Sequence, residues 1–354
     1  MELHHDCRHF VGYIPCRPHK AHGVHCSGCK YYDATDYNIL IIKLGAIGDV
    51  IRTTPLLHRL KAEHPGAYIN WLTLTPEVLP GSVDRKLGFN LKDMTTLMGR
   101  EFDLLINLDK DYEACSLAAS IPAKVKMGFT LVDGKPRNID DAAYHKYLTG
   151  LFDDVNKANT QSYPEEIFDI CGYRFAGEKY ILELPAEKPE FGLPDDARIV
   201  GLNTGCGGRW VTRLWPDDRW VALAKGLREA GYWPLFLGGE AEHEKNARLA
   251  ELSGADYLGH YSLQEFFCLV DKCELVVTAV TMGLHIAIGL GKKVVLFNNI
   301  FNPHEFEMYG LGTILSPGID CEGCFRPTCA ENCMEKIAVG DTLEAVKRLM
   351  AQEG

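Results

Sequence analysis

"IIKLGAIGDVIRTTPLL", residues 41–57, opens as an apolar, partly β-branched run, turns through Gly45, Gly48 and Asp49, and ends as the start of a helix. A buried strand, a glycine turn and a helix N-terminus together form the element with which open parallel sheets receive phosphate. Yet the turn has neither the G-x-G-x-x-G spacing of dinucleotide folds nor the Gly-Lys-Ser/Thr ending of a P-loop. It sets a carboxylate where an anion would be received. Asp49 then has two readings. It is a helix N-cap, a position aspartate suits well, or it is a general base that takes a proton from a hydroxyl while another part of the chain holds phosphate. Pro55, six residues on, either kinks the helix or delays its regular start.

Beyond this stretch, strands and helices alternate. Short apolar runs occur at "YNILIIK", "YINWLTL" and "DLLINLD", then at "RIVGLN", "WPLFLG", "ELVVTA" and "KKVVLF". Helical stretches separate them, which predicts parallel sheets covered on both faces. "DDRWVALAKGLREAG", 217–231, is the plainest helix, with an acidic first turn and Gly231 as its stop. "LPAEKPEFGLPDD", 184–196, has three prolines and no periodicity, and is expected to link two doubly wound domains. The expected divisions are a cysteine-rich extension at 1–37, an acceptor-side domain at 38–184, a nucleotide-binding domain at 185–338, and a final helix at 339–354 that can cross back to the first domain.

Composition narrows the function. The chain has 354 residues, 46% hydrophobic and 24% charged, enough for two α/β domains. A net charge of −11 argues against a nucleic-acid coat, which needs a basic face. No apolar run reaches the ~18 residues of a membrane span, and "MELHHDCRHF" has no signal-peptide core, so the expected location is cytoplasmic.

The second half carries candidate ligand chemistry. In "GLNTGCGGRWVTRLWPDDRW", 201–220, a strand end leads into a small-residue turn with Thr204 and Gly205, then Arg209 and Arg213. Such a turn and one arginine can hold a diphosphate, or they are a solvated loop. "ELVVTAVTMGLHIAIGLGKKVVLF", 274–297, should open a helix near Thr281, Met282 and Gly283, with His285 one turn in. His285 is a ligand contact there or a packed histidine. Glu240 and Glu242, after another strand, could take a ribose diol or simply be exposed acids at a helix start.

Thirteen cysteines are unevenly placed. Five are scattered through core-like segments. Cys7, Cys16, Cys26 and Cys29 form one group, and Cys321, Cys324, Cys329 and Cys333 another. Each group includes a C-x-x-C, the usual pattern of a structural tetrahedral zinc site. Iron or an iron–sulfur cluster is the alternative. Histidines between residues 4 and 25 could replace a cysteine, and a site shared between the two termini is a further arrangement.

Taken together, "ILIIKLGAIGDVIRTTPLLHRLK", "GLNTGCGGRWVTRLWPDDRW", "LGGEAEHE" and "VVTAVTMGLHIAIGLGKKVVLF" resemble glycosyltransferase family 9, the heptosyltransferases, over about residues 38–350. The resemblance implies the GT-B fold, two facing doubly wound domains, here with a cysteine-rich N-terminal extension. It implies an inverting, metal-independent transfer of a heptose from ADP-heptose to a hydroxyl of a lipopolysaccharide core or related glycan, at a protein with no membrane span but room for peripheral contact with the inner membrane. By position, Asp49 matches the general base. Thr204, Gly205 and Arg213 match the diphosphate turn, where the family more often has lysine at the arginine's place. Glu242, or Glu240, matches a nucleoside contact, and Thr281, Met282, Gly283 and His285 match the donor-holding helix start. Val280 stands where the family has an aspartate. That departure keeps open a nucleotide-sugar binding protein that has lost catalysis. A nucleotide-sugar 2-epimerase is a further alternative, with a dehydrogenase more distant.

Overall fold

The computed structural model describes residues 2–352. Eleven strands form two sheets among these residues. The first comprises β1 (Tyr37–Ile42), β2 (Ala67–Thr73), β3 (Arg85–Gly88), β4 (Phe102–Asn107), β5 (Ala123–Val132) and β6 (Lys135–Asn138), in the order β3-β2-β1-β4-β5-β6. The second comprises β7 (Ile199–Asn203), β8 (Trp233–Leu237), β9 (Leu275–Ala279), β10 (Lys293–Phe297) and β11 (Gly312–Leu315), in the order β11-β10-β9-β7-β8. All second-sheet pairings are parallel, as are those of β1 to β5.

Burial explains the placing of the strands. Ile39, Leu40, Ile41 and Ile42 of β1 are fully buried, because a strand flanked by β2 and β4 and covered on both faces has no solvent side. Leu40, Ile42, Leu72, Phe102 and Leu105 share one core. In the second sheet, Val200, Leu202, Val277 and Val295 pack with Trp220, Leu223 and Leu227 of the helix Asp217–Glu229. Each such side chain contributes about 1.5–3 kcal/mol on leaving water.

Four strands go beyond the sequence expectation: β3, β5, β6 and β11. β3, β6 and β11 are short edge elements and β5 is a half-exposed strand between β4 and β6, none with a continuous apolar run. β5 and β6 form an antiparallel hairpin, so the first sheet is mixed rather than wholly parallel. Its turn is Asp133-Gly134, with φ of 50° and 71°, the positive values a two-residue hairpin requires.

The chain divides into two compact units that do not follow the expected 184/185 boundary. One takes the chain up to Gly45, Pro55–Tyr147 and Ile167–Arg174; the other takes Ala46–Thr54, Leu148–Glu166 and everything from Phe175 onward. The proline-rich stretch lies within the second unit. Contacts before it already belong there: Tyr180 is buried, and the Ile181 N–H donates to Thr54 Oγ1 at 2.8 Å. The final helix, Val339–Ala351, also stays in the second unit instead of crossing to the first. The reason is its apolar face: Ala345, Val346, Leu349 and Met350 complete the core under Leu223 and Leu227. No helix among the described residues is long and apolar enough to cross a membrane.

Candidate active site

In the first unit, the end of β1 is tied to the end of β4. Asp109 accepts hydrogen bonds from the Leu44 and Gly45 N–H groups, the latter at 3.0 Å, and pairs with Lys43. Both partners are buried, with 5% and 8% of the side chains exposed. A carboxylate from within the protein thus occupies the amides that a glycine turn commonly offers to phosphate.

From Ala46 the chain belongs to the second unit. A short helix, Ile47–Ile51, is followed by a turn and then by the helix Leu56–Glu63, for which Pro55 is the N-cap. The proline therefore separates two helices rather than kinking one. Asp49 lies in the first turn of the short helix, but Ala46 is its N-cap, which removes the capping reading. The Asp49 carboxylate is held instead by Arg52, at 3.0 Å from Nε and 2.9 Å from Nη2, and its side chain remains 34% exposed.

Arg52 is the residue that sequence reasoning missed. Its buried guanidinium also pairs with Glu305 at 3.4 Å and lies 3.7 Å from the centre of the Tyr163 ring. Burial works against its charge, yet Asp49 and Glu305 hold its pKa above the ordinary value. Arg52 is three residues from Asp49, a spacing that places both on one helix face, so the signal was available. Glu305 and Tyr163 had none, being distant in sequence.

His285 is buried in the same unit, in the helix Met282–Gly289. A Cβ on Gly48 would lie 2.5 Å from the His285 ring, so only glycine permits the two helices this approach. The Tyr180 ring is 6.2 Å away, and Nδ1 has no hydrogen-bond partner among the described residues. Burial, reinforced by the charge of Arg52, pushes the imidazole down to about 3, so it is neutral at physiological pH.

The second unit also holds every candidate donor residue. Thr281 caps the helix Met282–Gly289, accepting from the Gly283 N–H at 3.1 Å. Asn203, at the end of β7, donates to Thr278 at 2.8 Å and to Thr281 at 3.0 Å, fastening the two strand ends to the helix start. Thr204 donates to Asn246, and Glu242 accepts from the Gly239 N–H at 3.0 Å. Those side chains are engaged in building the turns. Glu240 is exposed, Gly205 and Met282 are half-buried, and Val280 is buried.

Arg213 differs from them. It is 8% exposed, and its guanidinium donates to two carbonyls, those of Cys206 and, at 3.3 Å, Trp210. Burial lowers its pKa, against a smaller opposing effect of Cys206. The guanidinium also lies 5.4 Å from the centre of the Phe301 ring, and a buried cation whose hydrogen bonds go to carbonyls beside a strand-end turn is suited to an anionic ligand.

The cysteine groups do not assemble as expected. Among the described residues, no three of His, Cys, Asp and Glu converge to hold a metal ion. Cys321 and Cys329 are exposed, Cys324 and Cys333 are half-buried, and the Asn299 side-chain amide donates to Cys333 at 3.2 Å. Backbone bonds shape this loop, from Gly323 to Asn299 and from Phe325 to Ile300, each 3.0 Å. Cys7, Cys16, Cys26 and Cys29 nevertheless line one cavity of about 360 Å³. The scattered cysteines are core thiols; burial pushes Cys115 up to about 11 and Cys273 to about 12.

Known proteins agree with this architecture. The sequence model of glycosyltransferase family 9 (heptosyltransferase) matches residues 91–335. Lipopolysaccharide heptosyltransferase 1 of Pseudomonas aeruginosa is 25% identical over 318 residues, 82% of this chain and 87% of its own length. A family 9 glycosyl transferase from Veillonella parvula aligns with a TM-score of 0.70 and 18% identity, over 91% of this chain and 99% of its own. The E. coli heptosyltransferase WaaC, solved with ADP, gives 0.62 and 17%, over 88% and 99%; it has also been solved with ADP-2-deoxy-2-fluoro heptose. TibC of enterotoxigenic E. coli, a dodecameric iron-containing glycosyltransferase, gives 0.55 and 14%, over 89% and 76%. These neighbours share the GT-B fold of two α/β units. Because the family match covers more than half of its length, the chain belongs to glycosyltransferase family 9.

Proposed function

We propose that the protein transfers a heptose from ADP-heptose, with inversion at the anomeric carbon, to a hydroxyl of a lipopolysaccharide core or related glycan on the cytoplasmic side of the membrane. The observation that carries this reading is the Asp49–Arg52 pair. A half-exposed carboxylate, clamped by an arginine, lies in the same unit as the buried Arg213 guanidinium, whose hydrogen bonds go to carbonyls. Relatives named for lipopolysaccharide heptosyl transfer, and a neighbour solved with ADP, support the choice of donor and acceptor.

In this mechanism Asp49 accepts the proton of the acceptor hydroxyl as its oxygen attacks the anomeric carbon. The bond from that carbon to the diphosphate oxygen breaks, and the electron pair leaves with ADP. Arg213 stabilises the departing charge. Arg52 holds the Asp49 carboxylate in one orientation, so that less reorganisation accompanies the attack. His285 and Gly48 form a neutral, close-packed support beneath it. No cofactor takes part in any step.

The buried Val280 favours one second reading, a binding protein that retains the donor without transferring it. One experiment addresses both. The purified chain is heated with ADP, UDP, GDP and ADP-heptose, then incubated with ADP-heptose and a heptose-deficient lipopolysaccharide. Stabilisation by ADP and ADP-heptose, of about 2.7 kcal/mol at a hundredfold excess over Kd, with a heptosylated product and ADP released, is expected. Donor binding without product selects the second reading. Stabilisation by UDP or GDP alone removes ADP-heptose as donor.

A further inference from the structure

The clamp on Asp49 creates a chemical difficulty. An arginine beside a carboxylate favours the ionised form and so weakens it as a base, whereas a general base works best with its pKa near the working pH. A second difficulty follows from burial. Once Asp49 has taken a proton it no longer neutralises Arg52, whose side chain is only 11% exposed. A buried guanidinium that loses its counterion is strongly disfavoured. The pair is well ordered but, by itself, poorly suited to cycling a proton.

Glu305 answers both difficulties. It closes the short 3₁₀ turn Pro303–Glu305 that follows β10, in the same unit as Asp49 and Arg52, with 18% of its side chain exposed. The arginine fork is divided between the two acids. Nε and Nη2 go to Asp49 Oδ1 at 3.0 and 2.9 Å, and Nη1 goes to Glu305 Oε1 at 3.4 Å. The guanidinium lies over the Tyr163 ring, 3.7 Å from its centre. That ring is in turn fastened to the base helix, because Thr53 Oγ1 donates to the Asp49 carbonyl at 2.7 Å and lies 3.4 Å from the Tyr163 hydroxyl. A planar cation held by its face can serve both acids from one position.

The other titratable groups facing the pair are Tyr163, Tyr180 and His285. Burial holds the Tyr180 hydroxyl above its ordinary value and the His285 imidazole below its own, so both are neutral near neutral pH. Glu307 acts on Tyr180. With Asp49 ionised, one cation therefore stands between two anions. With Asp49 protonated, Arg52 and Glu305 remain as a matched pair.

We propose that Glu305 is a positioning residue, the second counterion of Arg52, which takes the guanidinium over as Asp49 gains a proton and so keeps Asp49 basic enough to deprotonate the acceptor. The assignment rests on the reading of Asp49 as the general base. In the step itself the acceptor O–H bond breaks towards Asp49, the oxygen bonds to the anomeric carbon, and the diphosphate leaves with its electron pair. Glu305 neither gains nor loses a proton.

The test follows the Asp49 carboxyl by NMR in the full chain, isotopically labelled at the aspartate carboxyl carbon and assigned by the signal's absence in Asp49→Asn. Glu305→Gln keeps the shape and removes the charge. It should lower the Asp49 titration midpoint by about one pH unit and kcat about tenfold, while the KM for ADP-heptose stays within about twofold. Glu305→Asp keeps the charge and should stay within about threefold of the parent kcat. A merely structural role would reverse that order, with glutamine the milder change. Should Glu305→Gln fail to fold, Arg52→Gln is compared with Arg52→Gln/Glu305→Gln, in which the cation is gone. There the second substitution should alter kcat by less than about twofold. An unmoved midpoint in Glu305→Gln, a glutamine variant milder than the aspartate one, or a further tenfold loss in the double variant would each overturn the assignment. The titration needs no substrate. A lowered midpoint in a chain that transfers no sugar therefore upholds Glu305 as the counterion and rejects the transferase reading, whereas transfer with an unmoved midpoint does the opposite.

Discussion

Each sheet has a strand that ends in a small-residue turn, yet the two turns are opposite in charge. After β1, the Leu44 and Gly45 amides are taken by Asp109, and the next acidic group along the chain is the Asp49 carboxylate, paired with Arg52. After β7, the turn at Thr204 to Gly208 is backed by the buried Arg213, whose hydrogen bonds go to carbonyls. The same strand-and-turn element has been made acidic in one place and basic in the other. For a transfer reaction this is a sensible division, since a proton must be collected where the acceptor reacts and an anion must be held where the nucleotide leaves. The comparison also shows that a glycine turn alone does not imply phosphate; what already occupies its amides decides.

The largest effect should come from removing the acid. Asp49→Asn keeps the side chain's shape and should lower kcat by about 10²–10⁴, the range for a lost general base, with little change in donor KM. Steady-state kinetics with ADP-heptose checks this, and unchanged turnover would break the acid–base half of the comparison. Asp109→Asn takes the carboxylate away from the buried Lys43 and from the two turn amides, so it should destabilise the fold by about 3–5 kcal/mol in urea unfolding. A near-neutral result would mean that Asp109 does not hold the turn.

Arg213→Met removes the charge without burying an unpaired one. It should reduce kcat/KM about 10²-fold and abolish stabilisation by ADP, while the melting temperature without nucleotide stays close to that of the parent protein. Retained ADP binding would make the second turn no more a phosphate site than the first.

The smallest effect concerns pH. His285 has a folded-state value of about 3 against an ordinary 6.5, so between these limits the unfolded chain binds the proton and the folded one does not. Its contribution to stability is therefore constant above about pH 6.5 and is lost as pH falls, by up to a tenfold change in the folding equilibrium per pH unit. His285→Gln should show a shallower loss between about pH 7 and pH 5 in the same unfolding measurement. Parallel curves would place a charged imidazole in the folded state.

Much of this was legible in the sequence, for identifiable reasons. β1, β4, β7, β9 and β10 are covered on both faces, and such strands need uninterrupted apolar runs. β3 and β11 are short edges whose residues face both ways, so they leave no such trace. The β5–β6 hairpin was readable through Asp133-Gly134 and was missed because neither flanking strand alternates cleanly. Asp49 and Arg213 stood out as charges at strand-end turns. The partners that give them meaning did not: Glu305 lies 253 residues from Arg52, and only the folded chain brings them together. The unit boundary was hidden for the same reason, because proline-rich sequence marks irregular backbone and not the limit of a core.

The assignment of residues 46–54 to the second unit bears on how such enzymes can be recombined. A chimera cut at the proline-rich stretch, with the aim of exchanging the N-terminal half, would bring in a foreign 47–51 helix with foreign residues at 163 and 180, and leave behind the His285 and Glu305 to which this helix is fitted. The natural exchange unit is discontinuous. Residues 46–54 and 148–166 should stay with the C-terminal part, and only the remaining segments should be replaced. A graft designed on those seams would keep Gly48 opposite His285 and Asp49 beside Arg52, leaving acceptor preference as the property free to change.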